Sequence, residues 1–587
     1  MGAIYICKKD KVSQQSAALD LFQEMGFSVS KTLEVGEWKL FAYQKMVGGQ
    51  SNIVSDGNCT LISIGTPIYK GMNYSGSLTT LLADFCGNGI AFDRLKGQYT
   101  LFFCHDGGID VLCDPLGCKH LFTDTSLNTL SSHMLPLCRG INGDIHINRK
   151  AFYEKFLTGF IMPPNTLFEE VIEIDRRTAE RISNAGTGIR FITSPKICIN
   201  TAKAKSFQEC LKEQAETLHA HFESLWDICE GGVDIGLSGG YDSRLVLACL
   251  HRTKTVPIHL HSHSTENDHK KDLGIAQKMA DYIGIQCHTI PTKKLSHSDN
   301  TDEILKKSVL YFDGRSSFSI GGCGEVYTAS YRESSTENTP FTLTGIGGEL
   351  YRNVFDIGFR KIRFDRFMRG KVFSSSFRKA IPDDKYREIC SDVIERAAER
   401  LDIDKRRRQS KAIAHRYYCE IMMPNGQGAA LDAYNQVSCC TAPFLEPAII
   451  TKGYETIPFH HSGGDFEGKL IERIDQGLAA IPSSYGYPIA SRPITARIKE
   501  ALRTYIPASL WEKLVKALKN KPKRNSGSDN YEKLYVSSRT LKEAYAYMAD
   551  LFPEINFSCL LHSGEDIRRV QFIAMTLYMS RERIKTK

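Results

Sequence analysis

The sequence predicts an α/β protein in which a parallel sheet is preceded by a β-rich part and followed by a helical part. Short β-like runs separated by Gly, Asn and Asp turns fill residues 1–195. From residue 206, strand-like apolar runs alternate with amphipathic helices, which is typical of a parallel sheet with crossover helices. Beyond residue 355 the apolar periodicity is mainly helical.

Individual elements follow from these patterns. In the β-rich part the clearest predicted strands span residues 60–64, 99–104 and 109–113. In the alternating part we predict helix, strand, helix, strand and helix in turn, at residues 207–229, 233–237, 243–251, 256–261 and 271–283. A chain of 587 residues is too long for one hydrophobic core, so two to four domains are expected.

The composition excludes several classes of protein. Hydrophobic residues make up 42% and charged residues 24% of the chain, an ordinary balance for a globular protein. No apolar run reaches the ~18 residues of a membrane helix, and the N-terminus lacks the apolar segment of a secretory signal. The 18 cysteines are scattered without CxxC pairs, which argues against a zinc site and for reduced thiols. We therefore expect a cytoplasmic protein without a membrane partner.

Basic residues form two runs, at residues 405–411 and 516–524, within a chain of formal net charge +8. Neither run is interleaved with the aromatic side chains of a single-strand nucleic-acid binder. We interpret both as solvated surface and expect no nucleic-acid partner. The polar stretch at residues 520–530 is predicted to be an exposed loop or linker.

The segment DIGLSGGYDSRLVLA, at residues 234–248, carries the clearest chemical signal. An apolar strand leads directly into SGG, and a helix starts near Ser243. Glycines let backbone N–H groups approach an oxyanion, and the helix N-terminus adds its positive end. The Gly-Lys-Ser/Thr ending of a Walker A loop is absent. Because Asp242 would repel phosphate, we expect a divalent cation between the two.

The loop SGGYDSR, at residues 238–244, resembles the SGGxDS loop of ATP-pyrophosphatase enzymes, particularly of the asparagine synthetase family. Further segments resemble this family in the expected order: LKGQY (95–99), DPLG (114–117), FLTGFIMPPNTLF (156–168), TGIGGELY (344–351), PFLE (443–446) and FEGKLIER (466–473). The resemblance implies an N-terminal Ntn-hydrolase-like αββα sandwich, a glutamine amidotransferase-like domain of residues 1–195. It further implies an asparagine synthetase-like ATP-pyrophosphatase domain of residues 205–587, with a parallel sheet and a helical C-terminal part.

The resemblance also implies roles for individual residues. In this family ATP is split into AMP and pyrophosphate, and the AMP is carried on the substrate carboxylate. Mg²⁺ is expected on Asp242 and Glu349, while Lys469 and Glu349 are the expected catalytic residues, with Arg473 the nearest alternative to Lys469. The polar run 261–272 is expected to line the adenine or substrate pocket. The implied ATP contacts are Leu237, Ser238, Gly239, Gly240, Asp242, Ser243, Thr344 and Gly345.

Departures from the family pattern bear on the substrate. Glutamine-using members carry an N-terminal nucleophilic cysteine, whereas this chain has Gly2, and Cys7 would require the removal of six residues. The family's Asn-Gly segment is replaced by GTPIY at residues 65–69. We therefore expect an inactive glutaminase half, as in β-lactam synthetases and lasso-peptide cyclases. Ile346 replaces an acidic or tyrosine residue, and Thr441 an arginine, which disfavours aspartate as the substrate.

The leading hypothesis is an asparagine synthetase-like ligase that adenylates a carboxylate and joins it to ammonia or an amine. The expected acid is a small-molecule, sugar-acid or peptide carboxylate, and the protein is a possible homodimer. True asparagine synthase, a lasso-peptide-type macrocyclase and a non-catalytic scaffold remain alternatives. A tRNA-modifying ATP-pyrophosphatase is a further alternative, supported by the basic runs but lacking a cysteine pair and an RNA-binding module.

Overall fold

The structure is a computed structural model that describes residues 2–45, 50–195, 197, 205–253, 256–264, 270–291, 301–315, 339, 341–358, 361–460, 464–505, 538–560 and 564–585. The predicted loop at residues 520–530 lies outside the described residues. Within the described part, no helix is both long and apolar enough to cross a membrane.

Two sheets pack face to face in the first part of the chain. The antiparallel six-stranded sheet has the order Val171–Glu173, Phe122–Asp124, Thr129–Ser131, Ala3–Lys8, Trp38–Gln44, Ser28–Val35. The five-stranded sheet has the order Ile189–Ile192, Gly108–Cys113, Tyr99–His105, Cys59–Gly65, Ile53–Asp56. Three of these strands confirm the strands predicted at residues 60–64, 99–104 and 109–113.

Helices cover the outer faces of both sheets, and this explains why the strands are apolar on both sides. In Ala3–Lys8, Ile4 and Ile6 face the core shared by the sheets, whereas Tyr5 and Cys7 pack in the core beneath helix Ser16–Glu24. Helix Tyr74–Cys86 covers the other sheet in the same way. The remaining elements of this part are Ile68–Tyr69, Leu95–Lys96, Met134–Gly140, Arg149–Thr158 and Arg176–Asn184.

A five-stranded parallel sheet forms the centre of the second part. Its strands are β1 (Val233–Gly236), β2 (Ile258–Ser264), β3 (Cys287–Pro291), β4 (Phe341–Leu343) and β5 (Cys439–Thr441), and their order is β3-β2-β1-β4-β5. The strand order reverses at β1, because β2 and β3 lie on one side of it and β4 and β5 on the other. In open α/β sheets, ligands bind at the carboxyl ends of the strands beside such a reversal.

Helices surround this sheet and make up most of the remaining chain, as predicted beyond residue 355. Helix α1 (Asp242–Thr253) follows β1, α2 is Asp465–Ile474 and α3 is Ile494–Tyr505. The other α-helices among the described residues are Phe207–Glu223, Trp226–Cys229, Lys270–Ile283, Thr301–Tyr311, Phe364–Phe367, Ser375–Ala380, Asp383–Arg400, Ala412–Arg416, Met423–Tyr434, Pro447–Thr456, Gln476–Ala480, Arg539–Leu551 and Gly564–Met579.

Two sequence predictions need correction. The helix predicted at residues 207–229 is two helices, because Phe207–Glu223 ends at Ser224, where the Ser224 hydroxyl donates to the carbonyl of His221. Strand β2, predicted at residues 256–261, starts two residues later and extends to Ser264, where it is paired with β3. The apolar run that defined the prediction ends where the strand turns polar at His261, so hydropathy alone could not show its full length.

The two parts of the chain are joined by buried hydrogen bonds. The Thr66 hydroxyl donates to Asn435 Oδ1 over 2.6 Å and accepts from the Cys440 amide over 2.9 Å. The Gly97 amide donates to Glu446 Oε1 over 2.8 Å, and Gln98 bonds the backbone of Ala442. Several of these groups lie in segments 65–69, 95–99 and 443–446 that the sequence analysis singled out, and here their role is to hold the first part against β5.

Candidate active site

Two loops meet at the carboxyl ends of β1 and β4. The first loop, residues 237–241, is closed by a hydrogen bond from the Ser238 amide to Ser243 Oγ over 3.1 Å and by one from the Gly240 amide to Ser238 Oγ over 3.3 Å. The second loop, residues 344–347, is anchored by the Thr344 amide, which donates to the carbonyl of Thr441 over 3.1 Å. Neighbouring parallel strands therefore deliver both predicted loops to one place.

Glycines allow this close approach. A Cβ on Gly345 would lie 2.9 Å from the amide nitrogen of Ser243, and one on Gly348 would collide with the carboxylate of Asp242. Gly347 has φ +91°, a left-handed conformation that glycine adopts without strain. The predicted ATP contacts in the two loops thus lie against each other. Leu237 contributes chiefly packing, since it is buried and its amide donates to the carbonyl of His261 over 2.7 Å.

A partly buried arginine joins three carboxylates at this junction. Arg352 Nη2 lies 2.6 and 2.7 Å from the two carboxylate oxygens of Asp242. Its Nε forms an ion pair with Glu467 Oε2 over 3.0 Å, and Nη2 lies 3.6 Å from Glu349 Oε1. Glu349 Oε2 in turn accepts a hydrogen bond from the buried Tyr418 hydroxyl over 2.5 Å. Asp242 and Glu349 are brought together as predicted, but through a protein cation.

The buried position of this cluster changes its protonation. Burial raises the pKa of Asp242 to about 6, although Arg352 opposes the shift. Burial also raises the pKa of Glu467 well above its ordinary value, again against the influence of Arg352. Burial disfavours the Arg352 cation, but the three carboxylates outweigh it, so its pKa lies well above that of a free arginine. Because burial favours the protonated carboxyls, a further positive charge beside the cluster would favour their ionised form.

The three carboxylates are ligands of the type that a hard divalent cation prefers, but in this structure they are not arranged around an open space. Carboxylate oxygens are the preferred ligands of Mg²⁺, and the Glu467 carboxyl is fully buried at this junction, beside Arg352. Arg352 nevertheless occupies the space between the carboxylates. Across the described part of the chain, the group of three potential ligands that meets within 4.8 Å is instead His146, Glu169 and Glu170, in the first part. Metal binding at Asp242 and Glu349 therefore requires Arg352 to move.

A third segment, residues 478–487, covers the first loop from the side. The fully buried Arg244 donates from α1 to the carbonyls of Leu478, Ile481 and Pro482, over 3.0, 2.5 and 3.1 Å. The Ser484 amide then donates to the carbonyl of Gly239 over 2.9 Å. Arg244 thus fixes the backbone that touches the first loop, a role that the sequence did not reveal.

The Gly239 amide, a predicted phosphate donor, has a partner in the structure. It donates to Asp272 Oδ1 over 3.2 Å, from the helix that follows β2. Asp272 belongs to the polar run 261–272, which was predicted to line a pocket at this edge. His261 lies elsewhere: it is buried and its Nδ1 lies 2.8 Å from Asp234 Oδ1, so it is part of the sheet interior.

Lys469 does not join the cluster in this structure. Its ammonium lies 2.6 Å from Glu472 Oε2, and its side chain is 41% exposed. Two residues along a helix are separated by about 200°, so Lys469 and the buried Glu467 point to opposite sides of α2. The catalytic assignment of Lys469 stays a prediction. The matched segment FEGKLIER did indicate this helix, but Glu467 is the side chain that reaches the carboxylate cluster.

The N-terminal position of the first part has no room for a side chain. Gly2 has φ +91°, and a Cβ there would collide with the side chain of Asn52 and lie 2.6 Å from the carbonyl oxygen of Tyr43. Cys7, the other candidate nucleophile, is buried in its strand, and burial raises its pKa to about 11. A thiol of that pKa is almost entirely protonated at neutral pH.

Residues 231–319 match the family model of asparagine synthase. The matched stretch contains β1, the first loop, α1, β2 and β3, and it ends before the second loop. No curated protein matches the chain. Over this stretch, which includes the first loop, the chain is similar to asparagine synthase.

Sequence reasoning missed four residues of this site: Arg352, Tyr418, Glu467 and, supporting the loop, Arg244. Arg352 directly follows the segment TGIGGELY, and Glu467 lies within FEGKLIER, so position in a matched segment was the available signal for both. Tyr418 lies in a stretch of π-helix, Tyr417–Met422, a feature found frequently at functional sites but invisible in the sequence.

Proposed function

We propose that this chain adenylates a carboxylate with ATP, releasing pyrophosphate, and then transfers the acyl group to ammonia or an amine with release of AMP. The observation that carries the proposal is the meeting of the two loops at the strand-order reversal, with Asp242, Glu349 and Glu467 around Arg352. A phosphate loop without carboxylates would suit many nucleotide-binding proteins. The combination of a glycine loop with a cluster of three acidic side chains supports metal-assisted chemistry on a triphosphate.

The first loop and α1 supply the triphosphate contacts in this proposal. The Gly239 amide and the N-terminus of α1 form a place for phosphate oxygens, while the Ser238 and Gly240 amides keep the loop closed through the hydroxyls of Ser243 and Ser238. Asp272 must first release the Gly239 amide, so a phosphate group of the nucleotide would take the place of the Asp272 carboxylate. Thr344 and Gly345 line the opposite wall, because the second loop lies against Ser243.

Once Arg352 has moved, Mg²⁺ would occupy the same site, with Asp242 and Glu349 as its proposed ligands and Glu467 next to them. When bound, it supplies positive charge against the leaving pyrophosphate. The Tyr418 hydroxyl holds one oxygen of Glu349 and so leaves the other directed at the cluster. Arg352, once displaced from between the carboxylates, is a cation available to the phosphates or to the acyl oxygen.

The first part of the chain is proposed to serve as a structural domain without glutaminase activity. The lack of space at Gly2 and the protonated, buried thiol of Cys7 support this. Ammonia or an amine would then be taken up directly. Ile346 in the second loop offers no charge or proton, and this supports an acid other than aspartate, such as a sugar acid or a peptide carboxylate.

The decisive test is ATP–pyrophosphate exchange with a panel of carboxylic acids in the presence of Mg²⁺. We expect exchange above background with at least one sugar acid or peptide acid, and hydroxylamine should trap the acyl group as a hydroxamate. Asp242→Asn is the matched control, since it keeps the shape of the loop. Nucleotide binding without exchange for any acid would favour the scaffold alternative, and exchange that requires RNA would favour the tRNA-modifying one.

A further inference from the structure

A cavity of about 460 Å³ lies between the first part of the chain and the C-terminal helices. Its walls come from helices Ser16–Glu24 and Met134–Gly140 of the first part and from helices Thr301–Tyr311 and Gly564–Met579 of the second. Small-molecule sites are typically cavities of roughly 300–1,000 Å³. The described residues that line it are all distinct from those of the candidate active site, so a ligand here would bind separately from ATP.

One wall of the cavity is apolar and comes from all four helices. Leu21, Leu135, Leu310 and Met575 line it and are at most 6% exposed, and Met579 lies one helical turn after Met575. Methionine has a flexible, unbranched side chain that fills irregular space and adapts to ligands of different shape. This wall therefore favours an apolar and flexible ligand body.

The acidic side chains around the cavity are either paired or solvated. Three of them have partners in the structure: Glu24 pairs with Lys306, Glu303 with Lys307, and Asp302 accepts from the hydroxyls of Ser538 and Thr540 over 2.5 and 2.7 Å. The fourth, Glu582, is exposed to solvent. These acids therefore do not require a cationic ligand in the cavity.

Two arginines around the cavity have hydrogen-bond donors that are not used. Arg139 is half-buried, and its guanidinium makes no hydrogen bond or ion pair with any described residue. Arg583 donates from Nη2 to the carbonyl of Ile141, but its Nε is buried and has no hydrogen-bond partner within the described ranges. Ile141 lies two residues after Arg139, so both arginines lie at the same end of helix Met134–Gly140. A buried donor without a partner costs free energy, which an anionic acceptor would recover.

We propose that this cavity binds a monocarboxylate with an apolar chain, held at its carboxylate by Arg139 and Arg583 and along its chain by the apolar wall. A neutral head group would carry no charge to attract the guanidinium groups. A doubly charged phosphate is disfavoured, because four acidic side chains surround the same cavity and repel it more strongly. The ligand contacts both parts of the chain, so its binding would stabilise the packing of the C-terminal helices against the first part.

The test is isothermal titration calorimetry of the full-length protein with decanoate, decanol and decyl phosphate. We expect decanoate to bind at a single site and to raise the melting temperature as its concentration increases, because it binds the folded form. Decanol and decyl phosphate should bind about tenfold more weakly or less, since each lacks the favoured head group. Undetectable binding of decanoate would overturn the proposal, as would equal or tighter binding of decanol or of decyl phosphate.

Variants at the two ends of the cavity locate the ligand. Arg139→Met removes the cation and should weaken decanoate binding about tenfold or more, while Arg139→Lys keeps the charge and should recover part of that loss. Met579→Trp fills part of the cavity and should weaken binding by excluding the chain. Arg387→Met is the matched control, because Arg387 is exposed on helix Asp383–Arg400, away from the cavity lining. Wild-type affinity in both Arg139→Met and Met579→Trp would place decanoate outside the cavity and overturn the proposal.

Discussion

Arg352 binds both carboxylate oxygens of Asp242, at 2.6 and 2.7 Å, in the space where a metal ion would join Asp242 to Glu349. The pair neutralises the first loop while no nucleotide is present. Under the proposed function, substrate binding would involve an exchange of cations, with Asp242 and Glu349 holding Mg²⁺ once the guanidinium has left. Several of the expectations below depend on this exchange.

Asp242→Asn should abolish most of the ATP–pyrophosphate exchange, by about 10²-fold or more, because a neutral amide is a poor Mg²⁺ ligand. Glu349→Gln should behave alike, and the double variant should lose little more, since both act on one ion. Exchange assays at saturating ATP and Mg²⁺ measure this. Near-native exchange by Asp242→Asn, with an unchanged melting temperature, would remove Asp242 from the metal site.

The exchange rate should fall as the pH drops through about 6. The pKa of Asp242 is raised to about 6, so the carboxylate needed for Mg²⁺ is present above that pH and protonated below it. Since protons and metal compete for the same oxygens, raising the Mg²⁺ concentration should move the midpoint to lower pH. A pH–rate series at two Mg²⁺ concentrations measures both. If the pH midpoint does not change with the Mg²⁺ concentration, the titrating group is not a metal ligand.

Arg352→Met should destabilise the folded protein by about 3–5 kcal/mol near neutral pH, because Asp242 and Glu467 are left buried without their cation. The loss should shrink as the pH falls. Both carboxyl groups have raised pKa values, so protonation on acidification removes their repulsion and the stability lost at higher pH returns. Urea unfolding at pH 5 and pH 8 measures this, with Arg366→Met, an exposed arginine, as control.

Arg244→Met should raise the KM for ATP. The parallel sheet itself should still fold. The substitution removes three hydrogen bonds to residues 478–482, so the segment that touches Gly239 is no longer held. Arg252→Met is the matched control, because Arg252 is exposed on the same helix. Equal KM values for the two variants would show that the segment is held by other contacts.

Lys469→Met should leave the partial reaction with ATP but strongly reduce the final amide, if this lysine steadies the oxyanion formed during attack by the amine. A quenched time course that compares acyl-adenylate with product measures the split. Glu472→Gln is the control, since it frees Lys469 from the partner seen here without removing its charge. Unaltered product formation by Lys469→Met would exclude the residue from the site.

No glutamate should be released from glutamine by the wild-type protein or by Gly2→Cys. The variant gains a thiol, but its side chain has no space beside Asn52 and Tyr43, and so the expected result is a loss of stability rather than a gain of activity. A glutamate assay and a melting curve measure the two effects. Steady glutamate release that a thiol reagent abolishes would contradict the proposal for the first part of the chain.

The sequence predicted the strand, loop and helix around Asp242 because local signals agree there: an apolar strand, two glycines and an acidic helix start. It also predicted that Glu349 belongs to the same place, since the second loop resembles a known segment. It could not predict Arg352 between them, because the ion pair depends on the packing of two distant loops. For the same reason the sequence predicted Lys469 as the functional side chain of α2, whereas Glu467 is the side chain of this helix that reaches the cluster.

The hydrogen bonds of Thr66, Gly97 and Gln98 to residues 435–446 matter when the two parts of the chain are produced as separate fragments. A fragment starting at residue 205 would expose Asn435, Cys440 and the carboxyl group of Glu446 along the edge strand β5. An uncovered edge strand is a template for aggregation. Residues 205–587 are therefore expected to be insoluble when produced alone and to be rescued by co-production with residues 1–195, which would cover this edge.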